Sequence, residues 1–238
     1  DESVYKMIRR IPSGGYCYTI EFCKEISRDC IEKIHRVYYS LLNKLSNSFE
    51  IVVGLTALTI YYDPRILKYI DLDKIVLEAL EDSERFELSF ERKEWIIPVV
   101  YGGEFGLDID SVVKYTGLTI DEIIKYHVSK KYLCYAIGFT PGFIYLGELC
   151  EKLIVPRLET PRLTVPPGSI GIADRLTGVY SVESPGGWRI IGRTPLKIFD
   201  FNRENPMPIK PGDIVSFKSI SIEEYYELRD VFISDYHG

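Results

Sequence analysis

The sequence predicts an α+β chain of two domains: a sheet layered with helices over residues 1–93, then a closed set of short strands over 94–238. Three observations predict it. In the first third, two stretches of helical apolar spacing are interleaved with β-rich runs. A new strand, Trp95–Tyr101, opens after a polar junction near Lys93. From Cys134 onward the texture changes: ten of the 13 prolines lie between Pro141 and Pro211, and proline interrupts helices and central strands.

Val4–Ile11 and Tyr16–Phe22 read as strands joined by the turn signal Pro12-Ser13-Gly14-Gly15. Ile26, Cys30, Ile31, Ile34, Val37, Leu41 and Leu45 recur at helical spacing, with Ser27 placed to cap the helix. Ile51–Tyr62 is a β-rich run with Gly54 at a bulge or turn, and Asp63-Pro64 is expected to start a second helix with an apolar side of Ile66, Ile70, Ile75, Leu77 and Leu80. Phe86–Glu91 returns as a strand. Two helices on one face of a four-stranded sheet is the ferredoxin-like arrangement. In the second domain, Asp110–Thr116 ends at Gly117, and Thr119-Ile120-Asp121-Glu122 is a capping box opening a helix to about Ser129. Val165, Ile170–Ile172, Trp188–Ile191, Leu196–Asp200 and Ile214–Lys218 are strand candidates, and closure into a β-barrel removes their many short edges. A short helix, Ser221–Arg229, ends the fold.

Composition removes several function classes. The chain has 238 residues, 46% of them apolar, and a net charge of −6 with no basic segment, which argues against nucleic acid as a main ligand. No apolar run approaches the roughly 18–20 residues that span a bilayer, and Asp1-Glu2-Ser3 does not read as a signal peptide. Five cysteines without a C-x-x-C pair read as free thiols in a reducing cytoplasm. Abundant Ile, Tyr, Lys and Glu with two Met suit a thermophile.

No phosphate loop, G-x-G-x-x-G or H-E-x-x-H is present, and with only His35, His127 and His237 no protein-bound metal is expected from this chain. The helices at 110–129 lack the cationic and amide face of a DNA-recognition helix. His127, at a helix C-terminus, admits two readings: a core or cap histidine, or a proton-transfer or ligand-binding group whose proton affinity the helix end raises. Arg157, Arg162, Arg175, Arg189 and Arg193 lie on the turn-rich half, where guanidinium groups suit carboxylate or phosphate recognition. Ser184-Pro185-Gly186-Gly187-Trp188 offers a hydroxyl, backbone amides able to form an anion nest, and an indole; the same residues also fit a plain hairpin turn under a packed Trp.

These segments carry a resemblance. Ile97–Asp108 contains P-V-V-Y-G-G-E-F-G-L-D, Gly138–Gly147 reads G-F-T-P-G-F-I-Y-L-G, and Pro156-Arg157, Thr160-Pro161-Arg162, Val165–Ser169, Thr177–Tyr180, Glu183–Trp188 and Gly192–Pro195 follow in order. Over residues 97–200 the match resembles, nearly without a break, the family of 5-oxoprolinase B subunits, also called KipI-type or allophanate hydrolase subunit 1. The first domain resembles it less closely, with Gly15-Tyr16 and Val53-Gly54 where the family reads Gly-Asp and Val-Pro. The resemblance implies a cyclophilin-like β-barrel after the ferredoxin-like domain. It implies a partner, the KipA-type C subunit of the same enzyme, often with a third, ring-opening subunit. It also implies ATP, with Mg, used at or near the subunit interface to open 5-oxoproline to glutamate. A KipI-type inhibitor of a sensor histidine kinase and a component of a urea- or allophanate-handling amidolyase are the alternatives within the same family.

On that reading Arg157 or Arg162 holds a carboxylate, and His127 or Glu104 moves a proton. Phe139, Pro141, Tyr145, Tyr180, Ser184, Gly186, Gly187, Trp188 and Arg193 form the substrate or nucleotide site.

Overall fold

In the computed structural model, residues 8–45, 49–85 and 92–238 are described. They fall into two compact units, Asp1–Glu91 and Arg92–Gly238.

The first unit begins with a hairpin, β1 (Arg9–Ser13) against β2 (Cys17–Glu21). Its loop turns through Gly14 and Gly15, both at positive φ, a conformation that glycine adopts without a Cβ penalty. Helix α1 (Arg28–Lys44) starts where the Ser27 hydroxyl accepts the Cys30 N–H, and buries Cys30, Ile31, Ile34, Val37 and Leu41. The β-rich run at 51–62 forms two strands: β3 (Glu50–Val53) and β4 (Ala57–Tyr61) fold back on each other, with the Gly54 N–H bonded to the Ala57 carbonyl at 2.8 Å. The sheet order is β1-β2-β4-β3, with every pair antiparallel. The strand expected at 86–91 lies outside the described residues, as does most of the Val4–Ile11 stretch ahead of Arg9.

The second helix starts later than its proline suggests. Asp63 accepts the Arg65 backbone N–H at 2.8 Å and its guanidinium at 2.6 Å, a local turn that competes with helix initiation. Helix α2 therefore runs Tyr69–Arg85. Its buried face is Leu72, Val76, Ala79 and Leu80, while Ile66, Ile70 and Leu77 of the expected apolar side are exposed. The two helices pack together and cover Tyr18, Ile20, Leu58 and Ile60 of the sheet. Cys23 and Cys30 form a disulfide, which corrects the expectation of five free thiols; Cys17, Cys134 and Cys150 stay free. The two cysteines lie seven positions apart, so the bond clips the segment after β2 to the first turn of α1.

The second unit is a closed barrel. Its strands are β5 (Glu94–Tyr101), β6 (Lys131–Ile137), β7 (Ile144–Gly147), β9 (Ser169–Ala173), β10 (Leu176–Val179), β12 (Arg189–Arg193) and β13 (Ile214–Ser219), in the order β10-β7-β6-β13-β5-β12-β9. A separate small sheet pairs β8 (Arg162–Val165) with β11 (Ser184–Gly186). Between β5 and β6 lie α3 (Ile109–Thr116), ended by Gly117 at φ 74°, and α4 (Ile120–Val128), opened by the Thr119–Glu122 capping box. Helix α5 (Ile222–Glu227) carries a second capping box, Ser221–Glu224. Ile97, Val99, Ile144, Leu146, Ile170, Ile172, Ile191, Val215 and Phe217 fill the interior.

Leu196–Asp200, expected as a strand, makes only an isolated bridge from Lys197 to Phe232. The Leu196 N–H is taken by the Thr194 hydroxyl at 3.2 Å, and Pro195 supplies no donor, so no ladder extends there. Among the described residues no helix is long and apolar enough to cross a membrane.

Barrel closure depends on β13 lying parallel to β5, with Asp213 at the start of the seam. Its buried carboxylate accepts the Trp95 indole N–H at 2.9 Å, the Lys93 N–H at 3.1 Å and the Lys210 N–H at 2.9 Å. Hydrogen bonds to charged groups contribute about 1.5–3 kcal/mol each. Asp213→Ala is expected to destabilise the protein by about 3 kcal/mol, read as a lower denaturant midpoint at unchanged slope; an unchanged midpoint would show that the seam does not need the carboxylate.

Candidate functional site

The turn Gly138–Phe143 joins β6 to β7 and shapes a cleft at one place on the barrel unit. Gly142 sits at φ 74°, and a Cβ there would lie 2.6 Å from Phe199 Cβ, so only glycine fits. Phe139 is also held at positive φ (72°), with its ring 62% exposed; such strain in a non-glycine residue clusters at functional sites. Phe143, four residues on, is buried and is the hub of an aromatic group. Its ring centroid lies 4.7 Å from Tyr145, 4.8 Å from Tyr180, 5.5 Å from Trp188 and 5.7 Å from Phe139, each edge-on. Edge-to-face pairs are the favoured aromatic arrangement and fix ring orientation.

These rings wall a cleft of about 260 Å³, closed on other sides by Pro161, Pro185, Gly186 and Gly187. Gly186 makes room for Tyr180, since a Cβ there would fall 2.3 Å from the phenol oxygen. Arg157 stands at the rim and is the charged group of the lining. Its guanidinium meets Asp174 at 3.6 Å, with both side chains more than half exposed, so most of its donors face solvent. Burial raises the Tyr145 and Tyr180 phenols, opposed at both by the nearby Arg157 charge and at Tyr180 also by a hydrogen bond to the Trp188 backbone. Both phenols stay protonated donors at neutral pH.

Seven of the residues expected from the sequence therefore meet in one place: Phe139, Tyr145, Arg157, Tyr180, Gly186, Gly187 and Trp188. Pro141 is near by chain but outside the lining; its carbonyl accepts the Ser181 hydroxyl and so ties the Gly138–Phe143 turn to the segment after β10. Ser184 is buried in β11 with its hydroxyl unpartnered, and is not a cleft wall. Phe143, Pro161 and Pro185 complete the wall; all three stood inside the quoted motifs, but none carries the polar chemistry that marks a site residue in sequence.

The remaining candidates are placed elsewhere. Arg162 makes a bidentate pair with Asp108, at 2.6 and 2.8 Å, and Asp108 also accepts the Ile190 N–H at 2.8 Å. Arg162 thus holds β8 against β12 and the start of α3. Arg189 is similarly used, donating to the Pro156 carbonyl and the Ser111 hydroxyl. Glu104 is exposed on the turn after β5, where its carbonyl lies 3.5 Å from Arg193. Arg193 lines a second, larger cavity of about 470 Å³.

His127 is fully buried, and the expected rise in its proton affinity is reversed: burial lowers its pKa to about 3. The helix end is outweighed because desolvation penalises the imidazolium. The Thr177 hydroxyl gives its proton to the Gly171 carbonyl at 3.1 Å, so it accepts from His127 Nε2–H at 2.9 Å. Nδ1 then accepts from the Tyr101 hydroxyl at 2.7 Å. The ring is a neutral, fully satisfied tie between α4, β5 and β10.

The linkage has a definite sign. An unfolded histidine titrates near 6.5 and the folded one at about 3, so the unfolded state binds more protons between these values. Stability from His127 is complete above about pH 6.5 and is lost as pH falls toward 3, by up to about 1.4 kcal/mol per pH unit. Unfolding curves at pH 7, 6, 5 and 4 are expected to show this slope, and His127→Gln to flatten it; an equal slope in the variant would exclude His127 as the cause.

Residues 8–209 match the family model described as carboxyltransferase domain, subdomain C and D. A Bacillus subtilis protein, named as the B subunit of 5-oxoprolinase, is 34% identical over 232 residues, covering 91% of this chain and 95% of that protein. The Escherichia coli O157:H7 protein of the same name is 38% identical over 191 residues, covering 78% of this chain and 84% of that one. Among solved structures, TTHA0988 superposes with a TM-score of 0.75 at 29% identity, covering 90% of this chain; the chain spans 40% of TTHA0988. With a family match across most of its length and B-subunit relatives at this identity, the chain belongs to the carboxyltransferase subdomain C/D family, in the branch that holds the 5-oxoprolinase B subunits.

Proposed function

We propose that this chain is the B subunit of an ATP-dependent 5-oxoprolinase, one part of a hydrolase complex that acts with a C-subunit partner and turns over only in the assembly. The observation that carries the reading is the aromatic cleft with a solvent-facing guanidinium at its rim. 5-Oxoproline is a small lactam ring bearing one carboxylate. Its ring matches the Phe143, Tyr145 and Trp188 walls, and its carboxylate matches Arg157 as a forked donor. The Tyr145 and Tyr180 hydroxyls, kept protonated by burial, are suited to donate to the amide oxygen.

Transfer of the ATP γ-phosphoryl group to that oxygen turns a poor leaving group into phosphate. ADP leaves, water adds at the activated carbon, the C–N bond breaks as the nitrogen takes a proton, and a second water hydrolyses the resulting γ-glutamyl phosphate to glutamate and phosphate. The charge that develops calls for fixed donors in a place closed to water, and the partner chain is the element that would close the rim. Among the described residues no group of three or more His, Cys, Asp or Glu is placed to hold a metal. Magnesium that arrives on ATP keeps much of its water and asks for only one or two carboxylates, which fits a nucleotide site at or near the interface with the KipA-type partner. Arg162 is read as a positioning residue acting through Asp108, and Glu104 as a group available to the interface.

The finer architecture belongs to the same proposal. β2 and β3 both run antiparallel to β4, which lies between them, and α1 connects them. That split β-α-β unit supports a ferredoxin-like first domain over 1–93. The seven-stranded closed order supports a cyclophilin-like barrel over 94–238. We place the assembly in the cytoplasm.

The test is co-expression with the KipA-type homologue and measurement of 5-oxoproline-dependent ATP hydrolysis, with and without the ring-opening subunit. Turnover is expected only when this chain and its KipA-type partner are together. Arg157→Ala is expected to raise KM for 5-oxoproline at least tenfold without lowering the melting temperature. Arg162→Ala, which strands the buried Asp108 carboxylate, is expected to cost about 3 kcal/mol of stability instead. Absence of turnover in every combination of well-folded subunits would overturn the proposal.

A further inference from the structure

We infer that Gly187 is a specificity-determining residue of the aromatic cleft: its missing side chain leaves a gap beside Pro161, and the width of that gap decides which ring-shaped carboxylates enter. That the ring admitted is 5-oxoproline rests on the proposed function; the size limit itself is a property of the wall.

The aromatic side of the cleft is fixed by packing. A Cβ at Gly171 would lie 3.0 Å from Trp188 Cβ, one at Gly178 would lie 3.0 Å from Phe143 Cζ, and one at Gly186 would fall 2.3 Å from the Tyr180 oxygen. Glycine is required at these three positions because the rings press on the backbone there, so the rings cannot retreat from a ligand. Gly187 is different. It is not at positive φ, and the nearest atoms to an added Cβ belong to Pro161, at 3.6, 3.7 and 3.9 Å. Such distances are ordinary van der Waals contact. Neither the backbone conformation nor the packing demands glycine at this position. What the bare Cα preserves is space.

That space belongs to the cleft, because Gly187 and Pro161 both line it. Pro161 is exposed and Gly187 half-buried, which puts the gap on the outer wall, opposite in character to the packed rings. The same wall is tied to the rim cation. The Gly187 carbonyl accepts the Leu158 N–H at 2.7 Å, and Leu158 follows Arg157 directly. A ligand whose carboxylate pairs with Arg157 thus has its ring set between walls that do not yield and a gap that one methyl group would narrow. One methylene more or less in an apolar site changes binding by about 10–200-fold, so a methyl at residue 187 closes the gap to a six-membered ring before a five-membered one.

Tryptophan fluorescence titration of the full chain, alone and in complex with its KipA-type partner, tests the inference. The probes are 5-oxoproline, its six-membered lactam homologue, cyclopentanecarboxylate and cyclohexanecarboxylate. Gly187→Ala is expected to leave the melting temperature unchanged and to weaken each six-membered ring at least about tenfold more than its five-membered counterpart. Pro161→Ala, at an exposed position, is expected to shift the same ratio the opposite way, and it serves if Gly187→Ala does not fold. Gly186→Ala is the contrast, expected to lower the melting temperature because its Cβ strikes Tyr180. Equal weakening of both ring sizes by Gly187→Ala, or an unchanged ratio, overturns the assignment, as does failure of every probe to bind. Hydrolysis of ATP that depends on 5-oxoproline, with a size ratio indifferent to both variants, sinks this inference alone. Size selection among the cycloalkane carboxylates, without any such hydrolysis in the complete assembly, sinks the proposed function alone.

Discussion

The geometry of the barrel unit depends first on a buried ion pair. Asp108 is 6% exposed, yet it keeps a full set of partners: both terminal nitrogens of Arg162 and the Ile190 N–H. Desolvating a carboxylate costs several kcal/mol unless its lone pairs are met, and here they are met by groups from β8 and β12. The pair therefore specifies where the small β8-β11 sheet lies against the barrel. That sheet carries Pro185 and Gly186, and the chain just ahead of it carries Arg157 and Pro161, so the position of the cleft rim follows from this one contact.

Inside the barrel the same logic applies with a neutral group. His127 joins Tyr101 and Thr177 through both ring nitrogens, and Phe217 and Tyr132 stack beside it. A polar tie of this kind rigidifies a core only while every member is satisfied. It thus anchors α4 and β5, with a ring that burial keeps neutral.

Much of this arrangement was legible in the sequence, and the exceptions have physical reasons. Glycine and proline spacing identified the cleft segments because close approach leaves no alternative residue at Gly142 or Gly186. Capping residues Ser27 and Thr119 marked helix starts because an orphan N–H must be met locally. Arginine roles were not legible. Arg157 and Arg162 flank one short loop and look alike in sequence, but one reaches solvent and the other reaches Asp108, more than fifty positions earlier. The lowered proton affinity of His127 was hidden for the same reason, since its environment is made by strands distant in sequence. The late start of α2 reflects competition between Asp63 and the helix for the Arg65 N–H, which Pro64 alone does not reveal.

The floor of the aromatic cleft rests on two missing methyl groups. At Gly178 an added Cβ would sit 2.6 Å from the Ile144 carbonyl, and at Gly186 it would strike Tyr180. Depth is therefore locked by packing on the inner side, whereas Arg157 and Phe139 at the mouth are exposed and replaceable without disturbing the interior. Descendants of this scaffold can change what they admit by editing the doorway, but the room behind it keeps its dimensions.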